Sequence, residues 1–239
     1  MDNSLEFRMF DSVQKFVAST TACLTPLQSV DLTSYDPRSS EASQLLRRFV
    51  VAADEGDAYA MTACAACYRS GWGARPDADE AFAWAGRAAA TGFAPGLAEL
   101  GYCYEEGLGT HADANFALAY LRRAADAGYG MAALNLAVRY ASGVPYGRSG
   151  KEAAHYSELA FESGEAYAAH LLGTWYEEGA LLPIDLNVAR SWYEKAAQRG
   201  SQLACLRLST AHMLGELNLV HDAKKSAEYL KMAEAAVVP

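Results

Sequence analysis

Cys64 and Cys67 stand three positions apart, the spacing of a redox-active dithiol, and are the first residues here whose types suggest chemistry. Such a pair reacts when a thiolate lies at the start of a helix that follows a strand. Around it, however, apolar side chains recur at Ala60, Met61, Cys64, Ala65 and Tyr68, the spacing of one helix face. The cysteines therefore fall in mid-helix. Cys64 also shares a place in a 36-residue period with Leu100, Leu136, Leu172 and Leu208, so both thiols read as packing groups. Cys67 and Cys103 occupy one column on successive helices, whose axes should stand ~8–10 Å apart. That is too far for a relaxed disulfide.

The other candidates for chemistry read the same way. Gly71-Trp72-Gly73 and Gly107-Leu108-Gly109 have the look of phosphate-cradling loops, but no strand precedes them and no lysine follows in position. His111, His155, His170, His212 and His221 form no HExxH and no ligand-spaced set with cysteine, so no metal and no cofactor are expected. No nucleophile elbow surrounds any serine. The expectation is a protein without catalytic activity.

Composition narrows the class. The chain has 239 residues, 51% hydrophobic, and 20 basic against 29 acidic side chains, for a net charge of −9. That is enough length for a sizeable core and too negative for a phosphate backbone, so the partner expected is a protein and not nucleic acid. No apolar run of 18 residues exists to span a bilayer. Five cysteines in no ladder pattern point to a reducing compartment, the cytoplasm. Asp2 and the polar Asp11, Gln14 and Lys15 argue against a secretory leader, and the sequence before Cys23 is too polar for a lipid-anchor signal.

The elements that position these residues come from a repeat. Gly56, Gly92, Gly128, Gly164 and Gly200 lie 36 residues apart, as do Gly71, Gly107, Gly143, Gly179 and Gly215. Tyr68, Tyr104, Tyr140 and Tyr176 form a third column, closed by His212. Trp84, Tyr120, Tyr156 and Trp192 form a fourth, where the fifth unit has Glu228; Ala88, Ala124, Ala160 and Ala196 form a fifth, ending in Met232. Each unit reads as two helices of about 13 and 14 residues. The first stops at a glycine able to turn left-handed, and the second opens at Asp77, Asp113 or Asp185 as N-cap. Forty-eight alanines favour helix and let backbones approach. The aromatic columns are expected to fill the space between units.

The run Leu100-Gly101-Tyr102-Cys103-Tyr104-Glu105-Glu106-Gly107-Leu108-Gly109 resembles the Sel1-like repeat, a relative of the tetratricopeptide repeats. Asp185…Ala189…Trp192-Tyr193…Lys195-Ala196-Ala197…Gly200 does too. The resemblance covers residues 41–236. It implies an all-α, right-handed superhelical solenoid whose first helices line a concave face. Its units would be a half repeat, 41–56, and repeats 57–92, 93–128, 129–164, 165–200 and 201–236, within a domain of 41–239. Residues 1–40 read as an amphipathic helix (Leu5, Met9, Phe10, Val13, Phe16 and Val17 on one face) and a Ser/Thr-rich loop; that helix either supplies the missing first helix or caps the array. The third and fourth units lack the second turn glycine (Pro145, Leu181), so their turns should differ. The fifth lacks the ring column, as a terminal unit facing solvent would.

On the first helices, the side opposite the core stripe varies between units, carrying Tyr59, Thr62, Ala63, Ala66 and Ser70 in the first. Further along it supplies the expected partner-binding residues Glu99, Tyr102, Glu106, Asn135, Val138, Tyr167, His170, Thr174, Glu178 and Arg207. Aromatic anchors among apolar groups and carboxylates suit a protein partner. Glu105-Glu106 and Glu177-Glu178 would add negative potential. Members of the resembled family act as adaptors and scaffolds, and several bacterial ones as immunity proteins. The expectation is an immunity-type inhibitor of a cationic toxin effector, with a general adaptor of a signalling or envelope complex, or a hydrolase, as the alternatives.

Overall fold

The computed structural model describes residues 36–236; the expected N-terminal helix, most of the loop after it and Cys23 lie outside them. Among the described residues there are eleven helices and no strand. They are α1 (Ser40–Asp54), α2 (Ala58–Ser70), α3 (Ala78–Ala90), α4 (Ala94–Glu106), α5 (Ala114–Asp126), α6 (Gly130–Ser142), α7 (Gly150–Glu162), α8 (Ala166–Glu178), α9 (Leu186–Gln198), α10 (Gln202–Leu214) and α11 (Ala223–Ala235). From α2 onward they pair as consecutive hairpins of 13-residue helices, in two bodies divided after Ala127. No helix of the described residues is long and apolar enough to cross a membrane.

The start and stop signals are chemical. Asp77, Asp113, Ser149, Asp185 and Asp222 each accept a backbone N–H in the first turn of the following helix. Gly71, Gly107, Gly143, Gly179 and Gly215 end the first helices with φ between +69° and +86°, a conformation a β-branched residue enters only with strain. Gly73 and Gly109 then turn the chain hard against the previous second helix: a Cβ on Gly73 would meet the Ala42 carbonyl, and one on Gly109 the Ala78 carbonyl. Pro145 and Leu181 replace these glycines and their turns do differ. Neither Val144 nor Ala180 repeats the bond that the Trp72 and Leu108 amides make back to Cys67 and Cys103.

Within the first body, α3 packs on α2 and α4, and α5 on α4; within the second, α7 packs on α6 and α8, and α9 on α8 and α10. The contact surfaces are alanine-rich, and Ala60, Ala81, Ala85, Ala88, Ala117, Ala124, Ala153, Ala160, Ala189 and Ala196 are fully buried. Tyrosine rings then stack where a first and a second helix meet: Tyr104 on Tyr120 with centroids 5.8 Å apart, and Tyr140 on Tyr156 at the same distance.

Two adjacent columns show a size match that no single repeat reveals. Tyr193 is fully buried, and a Cβ on Gly173 would lie 2.6 Å from its ring. In the second repeat Leu121 is buried against Gly101 in the same way. The deeper ring of the Trp192-Tyr193 pair is thus Tyr193, while Trp192 is half-buried with the Lys195 ammonium 3.7 Å from its ring centroid.

The expectation that the fifth unit loses its ring is corrected. Its turn, residues 215–222, is one residue longer than 179–185, with the extra length taken up at Leu217 and Asn218, both left-handed. Helix α11 therefore starts 37 residues after α9, and Tyr229, not Glu228, takes the ring position, stacked on His212 at 5.7 Å.

Candidate protein-binding surface

In the first body the predicted surface is less open than expected. Tyr59, Thr62, Ala63 and Ala66 of α2 are all buried, with the Tyr59 ring 6.4 Å from that of Phe49 on α1. Glu99 is buried as well. Its carboxylate receives Arg69 Nε and a second guanidinium nitrogen at 3.2 Å each, a bidentate pair joining α2 to α4. The Glu99 charge holds the Arg69 guanidinium well above its ordinary pKa, against the opposing effect of burial, so Glu99 is spent inside the fold. Tyr102 is half-buried and Glu106 is exposed at the end of α4.

The second body keeps its first helices open. On α6, Val138 is exposed and Asn135 accepts Arg139 Nε at 3.0 Å. On α8, Tyr167 is 45% exposed and Glu178 is exposed. His170 and Thr174 are half-buried between them. Leu203 and Leu206 of α10, in the columns of Tyr167 and His170, are 49% and 41% exposed. A ladder of rings runs inward from this face: Tyr167 to His170 at 5.9 Å, and His170 to Tyr193 at 5.5 Å. Burial lowers the His170 pKa, so the imidazole is neutral at pH 7 despite a nearby carboxylate at Glu177.

Beneath the ladder lies a polar network absent from the sequence expectation. The Tyr193 hydroxyl donates to Glu177 Oε2 at 2.8 Å and lies 3.1 Å from Thr174 Oγ1, which donates to the His170 carbonyl. Arg207 clamps Glu177 through Nε at 3.1 Å and through a second nitrogen, and reaches Glu216 at 2.8 Å. Burial alone raises the Glu177 carboxyl; the Arg207 and Tyr193 hydrogen bonds outweigh it and leave it below its ordinary value of 4.5. Burial lifts the Tyr193 phenol. The expected Glu177-Glu178 negative pair is therefore half neutralised, with Glu178 carrying the outward charge. Of the ten predicted residues, Tyr167, His170, Thr174 and Arg207 come together in this network.

Cys64, Cys67, Cys103 and Cys205 are free and buried. Burial pushes the Cys64 and Cys103 thiols up to about 12, which keeps them protonated and unreactive at neutral pH. No three His, Cys, Asp or Glu residues gather at metal-binding range among the described residues.

Stacked helical hairpins with a variable first-helix face define a class of helical-repeat proteins built as solenoids. The chain belongs to the Sel1 repeat family: the Sel1 repeat model matches residues 58–93, 94–129, 130–165, 166–201 and 202–236. Its fold is similar to that of a Sel1 repeat protein from Oxalobacter formigenes, at 26% identity over 83% of this chain and 81% of that one, with a TM-score of 0.69. It is also similar to c5321, a protective antigen of uropathogenic Escherichia coli with an SLR fold, at 20% identity and TM-score 0.69; the match takes in 98% of this chain and 49% of that one. Immunity protein Pa5087 from Pseudomonas aeruginosa matches at 20% identity over 95% of this chain and 81% of that one, with a TM-score of 0.54. No curated protein matches the chain.

Proposed function

We propose that this chain is a non-catalytic binding protein that holds another protein against its first helices, and that it acts as an immunity-type inhibitor of a bacterial toxin effector. The observation that carries the binding role is the exposure of Val138, Tyr167, Leu203 and Leu206 along successive first helices of the second body. Large apolar side chains in adjoining columns are what a partner's surface would bury. Glu178 beside them and a net charge of −9 favour a cationic partner and a fast, salt-sensitive association. The immunity role draws on the fold shared with Pseudomonas aeruginosa proteins of that name. Four buried, unpaired thiols suit a reducing interior, and we place the protein in the cytoplasm.

The test is capture, by the immobilised full chain, of effector proteins encoded beside it, read by surface plasmon resonance. The expected result is one tight complex whose association rate falls steeply as salt rises. Failure of every such effector to bind would overturn the immunity reading; a rate indifferent to salt would overturn the charge-steered part of it.

A further inference from the structure

The last joint of the second body lacks two rings that each occur in one other unit, Phe161 in a column otherwise held by Ala53, Ala89 and Ala125, and Phe82 in a column continued by Leu118 and Ala154. Phe161 of α7 stands edge-on to Trp192 with centroids 5.8 Å apart. One period later its place is taken by Ala197, beside Tyr229, the structural counterpart of Trp192. Phe82 stands edge-on to Tyr104 at 5.5 Å. Three periods later Arg190 takes that position, next to His212. At this joint there is a cavity of about 500 Å³ between α9 and α11, walled by Arg190, Ala197, His212, Leu219, Tyr229 and Met232. That is within the size range of small-ligand sites.

His212 makes this more than a packing gap. Its ring is 5% exposed, it is stacked on Tyr229, and its Nδ1 is buried without a hydrogen-bond partner. A buried ring nitrogen left unpaired carries a desolvation cost that a ligand's hydrogen bond would relieve, and with the proton on Nε2 it accepts from an incoming donor. Charges at the mouth cancel: Arg190 and Lys225 face Glu194 and Glu228, and Arg190 is paired with Glu194 at 3.7 Å. A ligand of large net charge therefore gains nothing there, whereas a flat ring gains the edge or face of Tyr229 and the guanidinium of Arg190.

We propose that this cavity binds one planar aromatic ring bearing a hydrogen-bond donor, of the indole or phenol kind, with the ring where Phe161 sits one repeat earlier and the donor on His212 Nδ1. The site lies apart from the first-helix face and does not depend on the proposed function. The ring is either a free small molecule or a tryptophan or tyrosine side chain of a partner, and the chemistry is the same for both.

The experiment is titration of the full chain with indole, followed by saturation-transfer and amide-shift NMR. Saturable binding is expected, with shifts centred on α9–α11. Naphthalene, which has the same shape without a donor, should bind about three- to tenfold more weakly, the worth of one hydrogen bond, and His212→Phe should erase that difference. Ala197→Phe, which installs the side chain Phe161 already supplies, should abolish binding and raise Tm; Met232→Trp blocks the mouth from the opposite wall should the first variant not fold. N-acetyl-tryptophanamide separates the sources: binding as tight as indole assigns the ring to a polypeptide, and its exclusion assigns it to a free molecule. No saturable binding of indole, equal affinity for naphthalene, or binding undiminished in both blocking variants overturns the proposal.

Discussion

Glu177 and Arg207 meet across neighbouring first helices thirty residues apart, at the same two repeat positions where Arg69 meets Glu99, with the charges exchanged. Each pair joins the last turn of one first helix to the middle of the next. Arg207→Glu should therefore cost about 1–3 kcal/mol, below the full penalty of a buried unpaired charge because both side chains keep some solvent. Adding Glu177→Arg, which copies the polarity of the first body, should recover most of that loss. Recovery stays incomplete because Glu216 would then face a carboxylate. Urea denaturation of the two singles and the double variant measures the coupling.

The pH dependence follows from Glu177. Its folded carboxyl lies below the ordinary 4.5, so its contribution is fully present above that value and is lost as pH falls through the lowered folded value. The urea midpoint should fall as pH drops below the ordinary carboxyl value of 4.5, and Glu177→Gln should flatten that fall. A variant as steep as the parent would place the acid sensitivity elsewhere.

His170 should titrate below its ordinary 6.5, since burial disfavours the imidazolium. Folding is then penalised progressively as pH drops below 6.5, because the unfolded chain takes up the proton first. The ring proton shifts of His170 in an NMR titration give the midpoint directly.

Gly92 and Gly109, which occupy different turns of the repeat, should respond differently to alanine. At Gly92 the left-handed φ is the whole cost, about 1 kcal/mol, because no atom lies within 4 Å of a new Cβ. At Gly109 the same strain is joined by collision with the Ala78 carbonyl and the Phe82 Cβ, so Gly109→Ala should be the more damaging by over 1 kcal/mol. Thermal unfolding of the two variants decides it.

Gly173→Ala should destabilise by about 1–3 kcal/mol by driving a methyl group into the Tyr193 ring. Tyr193→Ser added to it copies the Ala137 and Ser157 combination of the third repeat and should relieve the clash, at the expense of the Tyr193 packing. Additive losses in the double variant would refute the size match.

Much of the fold is legible because the repeat writes each structural need five times. Helix stops at Gly107 and its equivalents, aspartate caps, and the ring columns all emerge from alignment at a fixed step. The exceptions are where the step fails. The extra residue in 215–222 shifts α11 against the period, so Glu228 reads as a lost ring while Tyr229 supplies it. The surface is less legible. Column variability marks Glu99 and Arg207 as outward-facing, whereas opposite charges thirty residues apart hold both inside a joint. Only as pairs, 69 with 99 and 177 with 207, do these positions show the complementary signs that mark a contact. Tyr193 and Gly173 escape notice singly for the same reason: each looks like ordinary variation until its opposite number is known.

These joints make the order of the modules matter. Tyr193 with Gly173 and Leu121 with Gly101 are fitted inside their own hairpins, so each hairpin would travel intact if the gene were shuffled. The electrostatic seams would not. Excising the stretch between Arg69 and the last first helix would bring Arg69 up against Arg207, guanidinium to guanidinium, and the shortened array would be repelled at its own splice. A chain assembled by duplication has in this way acquired a sequence of parts that resists being recut.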